Sequence, residues 1–278
     1  MNQLLTQHTQ IIDGHTMHYL DIGEGPVLLF GHSYLCDSTS WQPQLAELSQ
    51  HYRCIVPDLW GHGQSDKLPA SCRSLKQLAE QYLALLDSLN IDNFSMIGQG
   101  IGGMWGAELT LLAPARVNSL VMLGSFLGFE PEVSRANYYA MLDEINQTKS
   151  ISADHINQLA TRYFSASAEQ DNPQLIKAFK QQLSGIAPER IDSLHRLGRI
   201  LYGRRDIMED IEQLTLPCLI MTGADDRLHP ILEGYLMHDA IDGSQYIHLP
   251  HAGHMANLEQ ADLVNQHLLA FHTQHIKG

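Results

Sequence analysis

Seventeen lysines and arginines stand against 31 aspartates and glutamates in this 278-residue chain, a formal charge of −14. With no surplus of cations to displace phosphate counterions, a nucleic-acid partner is excluded, and docking on anionic membranes is disfavoured. Only four cysteines are present, Cys36, Cys54, Cys72 and Cys218. Their spacing shows none of the pairing that marks a zinc or redox motif. Cys54 and Cys218 fall in strand-like runs, where a thiol behaves as a small buried hydrophobe. No apolar run approaches the roughly 18 residues that a membrane span needs. The stretch MNQLLTQHTQ has neither a basic region nor an apolar one, so no secretory signal is expected and the cytoplasm is the default location.

What the chain does contain is ordinary for a globular protein, with 44% hydrophobic and 17% charged residues. Its length suits one large α/β domain or a core carrying an insertion. From Pro26 to Leu127, short apolar runs alternate with helical patterns. Val27–Phe30, Cys54–Val56, Phe94–Ile97 and Leu120–Leu123 read as strands, too short and too apolar for helices. Gln42–Leu48, Ser74–Leu89 and Ile101–Leu112 repeat apolar residues at three and four and read as helices between them. Such alternation predicts parallel βαβ units and a sheet covered on both faces. Before them, Gln10–Asp13 and Met17–Asp21 flank Gly14 and read as an edge hairpin.

From about Gly128 to Asp206 the strand signal stops. Tyr138, Met141, Leu142 and Ile145 share one helical face, and Ile156, Leu159, Tyr163 and Phe164 another. Leu175, Ala178, Phe179 and Leu183 suggest a third helix; Ile191, Leu194 and Leu197 suggest a fourth. The βαβ rhythm then returns with strands at Leu216–Met221 and Tyr246–Leu249 and helices at Leu232–Ala240 and Leu258–His275. The expected organisation is a core of residues 1–127 and 207–278, interrupted by a helical lid of residues 128–206 over the carboxyl edge of the sheet.

Gly98-Gln99-Gly100-Ile101-Gly102-Gly103 follows a strand and opens a helix. As G-x-G-x-x-G it invites a dinucleotide-binding reading, in which glycines admit a pyrophosphate to a helix N-terminus. The reading fails on context. The turn follows the third parallel strand rather than the first, and the next strand ends at Leu123-Gly124-Ser125 without an acid for a ribose hydroxyl.

The same residues also read as G-x-nucleophile-x-G, the strand-to-helix elbow that lifts one side chain above a sheet. The elbow position is Gly100, where a serine is expected. An acid follows in Gly223-Ala224-Asp225-Asp226-Arg227-Leu228-His229-Pro230, after its own strand, and Asp226 fits G-x-x-D-x-x-x-P. A histidine follows in Pro250-His251-Ala252-Gly253-His254, after the last strand. Nucleophile position, acid and histidine thus come in hydrolase order, each at a strand end. Gly31-His32-Ser33-Tyr34 closes the first parallel strand, where a loop N–H helps form an oxyanion hole. Tyr34 and Ile101 are its candidate N–H donors. Ser33, Cys36 and Ser125 are the other potential nucleophiles near strand ends, but none occupies an elbow. His248, His251 and His254 recur at threes without a completing carboxylate, so no metal is expected.

These motifs, with Asp58-Leu59-Trp60-Gly61-His62-Gly63-Gln64-Ser65-Asp66, resemble the α/β-hydrolase fold family, in particular its small cap-bearing esterases and perhydrolases. The resemblance covers essentially the whole chain. It implies a mostly parallel eight-stranded sheet with helices on both faces and a helical cap after the sixth strand. It implies Ser-His-Asp hydrolysis of a small ester or other acyl substrate, without cofactor, by a monomer or homodimer. Two positions depart from the pattern: Ser33 replaces the glycine usual after the loop histidine, and Gly100 replaces the serine. Gly100 predicts an inactive or very slow chain with ligand binding retained, His254 at most activating a water. Two alternatives accompany this reading, a non-catalytic binding or sensor protein and a cofactor-free His–Asp lyase or oxygenase. His32, Ser33, Trp105, Ser125, Tyr138 and Phe164 are the candidate substrate contacts.

Overall fold

The computed structural model describes residues 7–276, so the first six residues of the stretch read for a leader lie outside it. Its strands are β1 (Gln7–Ile12), β2 (His15–Ile22), β3 (Val27–Gly31), β4 (Arg53–Pro57), β5 (Phe94–Gln99), β6 (Val117–Leu123), β7 (Cys218–Gly223) and β8 (Gln245–Leu249). They form one eight-stranded sheet in the order β1-β2-β4-β3-β5-β6-β7-β8. The hairpin β1–β2 is antiparallel, as is β2 against β4. All pairs from β4 to β8 are parallel.

The helices of the first half are α1 (Gln42–Leu48), α2 (Leu75–Ser88) and α3 (Ile101–Leu112). Between β6 and β7 come α4 (Glu132–Thr148), α5 (Ala153–Tyr163), α6 (Ala168–Asp171), α7 (Pro173–Ser184), α8 (Ile191–Tyr202) and α9 (Met208–Ile211). The chain ends with α10 (Ile231–Ala240), α11 (Ala256–Glu259) and α12 (Ala261–His275). Local chemistry sets several starts: the Ser74 hydroxyl accepts the Gln77 N–H at 3.2 Å, and Ser152 likewise accepts that of His155 at 3.2 Å. The expected single terminal helix is two, broken at Gln260, whose backbone leaves the helical region. The first strand after the helical segment, β7, begins at Cys218, two residues later than the apolar run suggested, because Pro217 has no N–H for the ladder.

Alternation along each strand sorts the core into two layers. Leu29, Ile55, Met96, Leu120, Met122 and Ile220 pack on the face covered by α2 and α3. Leu28, Phe30, Cys54, Val56, Ile97, Val121, Leu219 and Met221 pack on the face covered by α1 and α12. Because both faces are buried, the strands read as nearly continuous apolar runs. The chain moves from β3 to β4 on one side of the sheet and from β4 to β5 on the other, so β3 and β5 flank the switch point where α/β sheets open a crevice. Among the described residues no helix is long and apolar enough to cross a membrane.

Candidate active site

At the end of β5 the backbone turns sharply through Gly100, at φ 55° and ψ −121°, into α3. That left-handed φ suits glycine, which has no Cβ to clash. The neighbouring glycines serve packing instead. A Cβ on Gly98 would meet the α3 backbone at Gly102 and Gly103, one on Gly102 would meet β3 at Gly31, and one on Gly103 would meet the Ser125 hydroxyl. These contacts let α3 lie close on the sheet. They leave no phosphate-sized space, which accounts for the G-x-G-x-x-G spacing without a nucleotide.

The Asp226 side chain, fully shielded from solvent, follows β7 and is held by its own loop. Oδ1 accepts the N–H groups of Leu228 at 2.8 Å and His229 at 3.0 Å. Oδ2 faces His254 Nδ1 at 3.2 Å. Asp225, by contrast, is exposed. His254 follows β8, is equally buried, and is fixed from below by Gln99, whose amide donates to the His254 carbonyl at 2.6 Å. Glu259 secures the same loop, accepting the Gly253 N–H at 2.9 Å and the Ser165 N–H at 3.0 Å. Burial pushes the Glu259 carboxyl above the usual range, against the pull of those donors.

Beneath the pair lies Gly124, also at positive φ (47°), where a Cβ would stand 2.9 Å from Asp226 Oδ2 and 3.0 Å from His254 Nδ1. Gly124→Ala should therefore wedge the pair apart. We expect Gly124→Ala to cost about 1–3 kcal/mol of stability, because either the pair or the turn must give way to the added methyl. An alanine variant with an unchanged urea midpoint would contradict that placement.

On the other side of His254 stands Ser33. Its hydroxyl lies 2.8 Å from His254 Nε2. Sheet register explains the approach: Gly31 pairs with Gly98, so Ser33 and Gly100 each lie two residues beyond a matched pair. The loop carrying Ser33 is locked by two neutral histidines. His32 Nδ1 donates to the Ser33 carbonyl at 2.8 Å while Nε2 accepts the Leu59 N–H at 2.9 Å. His62 Nδ1 donates to the Trp60 carbonyl at 2.9 Å while Nε2 accepts the Leu35 N–H at 3.0 Å. Burial lowers the pKa of both, and that of His62 is pushed down to about 3. Two tyrosines complete the clamp: the Tyr163 hydroxyl donates to the Tyr34 carbonyl and the Tyr34 hydroxyl to the Leu194 carbonyl, each at 2.7 Å. Among the described residues the N–H groups of Tyr34 and Ile101 find no protein acceptor.

A cavity of about 20 Å³, room for a single water, opens beside Ser33, Gly100 and His254. Tyr34, Ile101 and Tyr138 also line it. His32, Trp105, Ser125 and Phe164, expected as substrate contacts, are not among its lining residues. His32 locks the loop from behind, Trp105 stacks on Tyr82 at 4.2 Å, and Ser125 donates to the Gly100 and Leu123 carbonyls at 3.0 Å. Phe164 packs edge-on against Phe179 at 5.6 Å. Cys36 faces Met255, and burial drives its thiol pKa upward, away from thiolate character. His248, His251 and His254 do not converge, and no group of three or more metal-ligating side chains occurs among the described residues.

Several lining residues escaped the sequence reading. His229 lies inside the quoted acid motif, and its ring stands 5.7 Å from that of His254 while Nδ1 pairs with Glu233 at 2.8 Å. Tyr202 stacks flat on Tyr138 at 3.9 Å. The buried ion pair Arg204–Glu130, at 3.3 Å, closes the far wall. Only the three-dimensional convergence of α4, α8 and the segments flanking them with the loop after β7 reveals these.

The family described as alpha/beta hydrolase fold matches residues 26–261. The 3-oxoadipate enol-lactonase 1 of Acinetobacter baylyi is 29% identical over 237 residues, covering 85% of each chain. A thermophilic esterase of Thermogutta terrifontis, solved with malate bound, superposes with a TM-score of 0.89 at 21% identity, covering 98% of this chain and 100% of that one. The enol-lactonase of Burkholderia xenovorans superposes with a TM-score of 0.83 at 22% identity, covering 96% and 100%. At such identities the two superpositions establish the fold alone.

Proposed function

Because the chain belongs to the alpha/beta hydrolase fold family, we propose that it hydrolyses a small ester or lactone in the cavity above Gly100. One observation carries this reading: a buried imidazole, backed by Asp226 at 3.2 Å, directs Nε2 over the elbow. With Asp226 holding the proton on Nδ1, His254 Nε2 is the free base, able to accept a proton from a hydroxyl or a water. The Tyr34 and Ile101 N–H groups are the donors for the oxyanion that forms at the acyl carbon. The relative named as a 3-oxoadipate enol-lactonase, 29% identical, supports a lactone or other small ester. An acyl-enzyme at residue 100 cannot form, since glycine brings no hydroxyl.

The segment of residues 128–206 acts as a cap. Through α5 it supplies Tyr163, whose ring meets His254 edge-on at 5.2 Å, and through α8 it supplies Leu201 and Tyr202. Because the cavity holds only about 20 Å³, room for one water, substrate enters when the cap separates from the core. The test is hydrolysis of short p-nitrophenyl esters and of small lactones by the unaltered chain and by His254→Ala. The variant should lose about a hundredfold or more, the contribution of a positioned general base. Equal rates for the two would end this reading, since the site would then contribute nothing.

A further inference from the structure

We propose that Ser33, on the loop after β3, is the nucleophile of this enzyme and replaces the hydroxyl missing from the elbow. The inference rests on the hydrolase reading above and names the group that completes it.

The geometry is specific. A Cβ placed on Gly100 would lie 2.7 Å from Ser33 Oγ and 2.9 Å from His254 Nε2. Ser33 Oγ thus occupies the region that an elbow side chain would fill, 2.8 Å from the imidazole nitrogen that an elbow hydroxyl would address. Ser33, His254 and Asp226 form an unbroken hydrogen-bonded series, buried throughout. The hydroxyl is held there by a loop with no slack: the Ser33 carbonyl receives both His32 Nδ1–H at 2.8 Å and the Cys36 N–H at 3.2 Å. The two departures from the family pattern also explain each other. A serine at 33 needs a bare residue 100 beneath it, and a bare residue 100 leaves His254 without a partner unless a neighbour supplies one.

The chemistry closes with water as the only co-reactant. His254 Nε2 takes the Ser33 proton as Oγ bonds to the acyl carbon, and the carbonyl π pair moves onto oxygen. The Tyr34 N–H, adjacent to the nucleophile in sequence, and the Ile101 N–H, across the crevice, receive that charge. Collapse restores the carbonyl and breaks the bond to the leaving oxygen, which takes the proton from His254. A lactone keeps its alcohol tethered to the acyl group. Water then gives a proton to His254 and adds to the ester on Ser33. Ser33 departs with that proton, and the acid is released.

A fluorophosphonate probe followed by peptide mapping reads the site directly. The expected result is one adduct, on the peptide bearing Ser33, absent from Ser33→Ala and from His254→Ala. Ser33→Ala should also lose at least about a hundredfold in ester hydrolysis. Ser33→Cys guards against misfolding of the alanine variant: it should shift labelling to iodoacetamide at position 33, at a rate that depends on His254. Ester hydrolysis that survives Ser33→Ala within tenfold, or an adduct on any other residue, overturns Ser33 as nucleophile while leaving the hydrolase reading intact. Absence of hydrolysis from the unaltered chain, with no labelling, overturns both.

Discussion

Ester hydrolysis is expected to disappear in Ser33→Gly and to return, by at least about 10³-fold, when Gly100→Ser is added to the same chain. The pair of substitutions moves one hydroxyl across the crevice and leaves its base, acid and oxyanion donors in place. Gly100→Ser alone should do less. Its Cβ would stand 2.7 Å from Ser33 Oγ and 2.9 Å from His254 Nε2. The serine hydroxyl can rotate aside, but the imidazole is held from behind by Asp226 and cannot retreat without breaking that bond. Emptying position 33 first removes the crowding. Serine at a residue with φ 55° also carries backbone strain, typically about 1–3 kcal/mol, so the double variant should melt earlier while hydrolysing faster than Ser33→Gly. Steady-state rates on one p-nitrophenyl ester for the four chains decide the matter. A Ser33→Gly chain as fast as the original, or a double variant no faster than Ser33→Gly, would refute the exchange.

The same crevice shows what a sequence can and cannot convey. Strand ends and helix starts were legible because burial on both faces of a parallel sheet writes itself as apolar runs, as in Leu28–Phe30 and Leu219–Met221. Asp226 was legible from spacing to Gly223 and Pro230, and the structure buries it while exposing Asp225. The meeting of Ser33 with His254 was not legible. It depends on the parallel register Gly31↔Gly98, which no local pattern encodes, and on the loop geometry imposed by His32 and His62. Gly124 was hidden for a similar reason. Its need to be glycine comes from side chains about a hundred positions further along the chain. Trp105 and Phe164 were misplaced because an aromatic beside a site and one packed behind it look alike in sequence.

Acid should unlock this loop before it titrates most carboxylates. His32, His62 and His272 are buried and neutral, with burial the largest cause of each lowered pKa; His62 and His272 are pushed down to about 3. In the unfolded chain a histidine takes up a proton near pH 6.5. Between that value and the folded pKa the unfolded state binds more protons, so stability rises with pH across the window and is lost as pH falls below about 6.5. Each histidine contributes up to about 1.4 kcal/mol per pH unit, a large share of the 5–15 kcal/mol typical of a domain. Protonating His32 or His62 would also set an N–H against the Leu59 or Leu35 N–H that its Nε2 now accepts, releasing the Ser33 loop. Asp66, whose pKa is lowered chiefly by the Thr16 N–H, gives up its contribution only below its ordinary carboxylate range, so the two windows are separable. Urea midpoints followed by tryptophan fluorescence at pH 7.5, 6 and 5 should fall steadily below about 6.5. His272→Leu, at a site where neither ring nitrogen has a partner, should flatten that slope by up to about 1.4 kcal/mol per unit. Midpoints constant from pH 7.5 to 5 would mean that these rings are charged in the fold and that the loop is held by something else, and a slope unchanged by His272→Leu would remove His272 from the account.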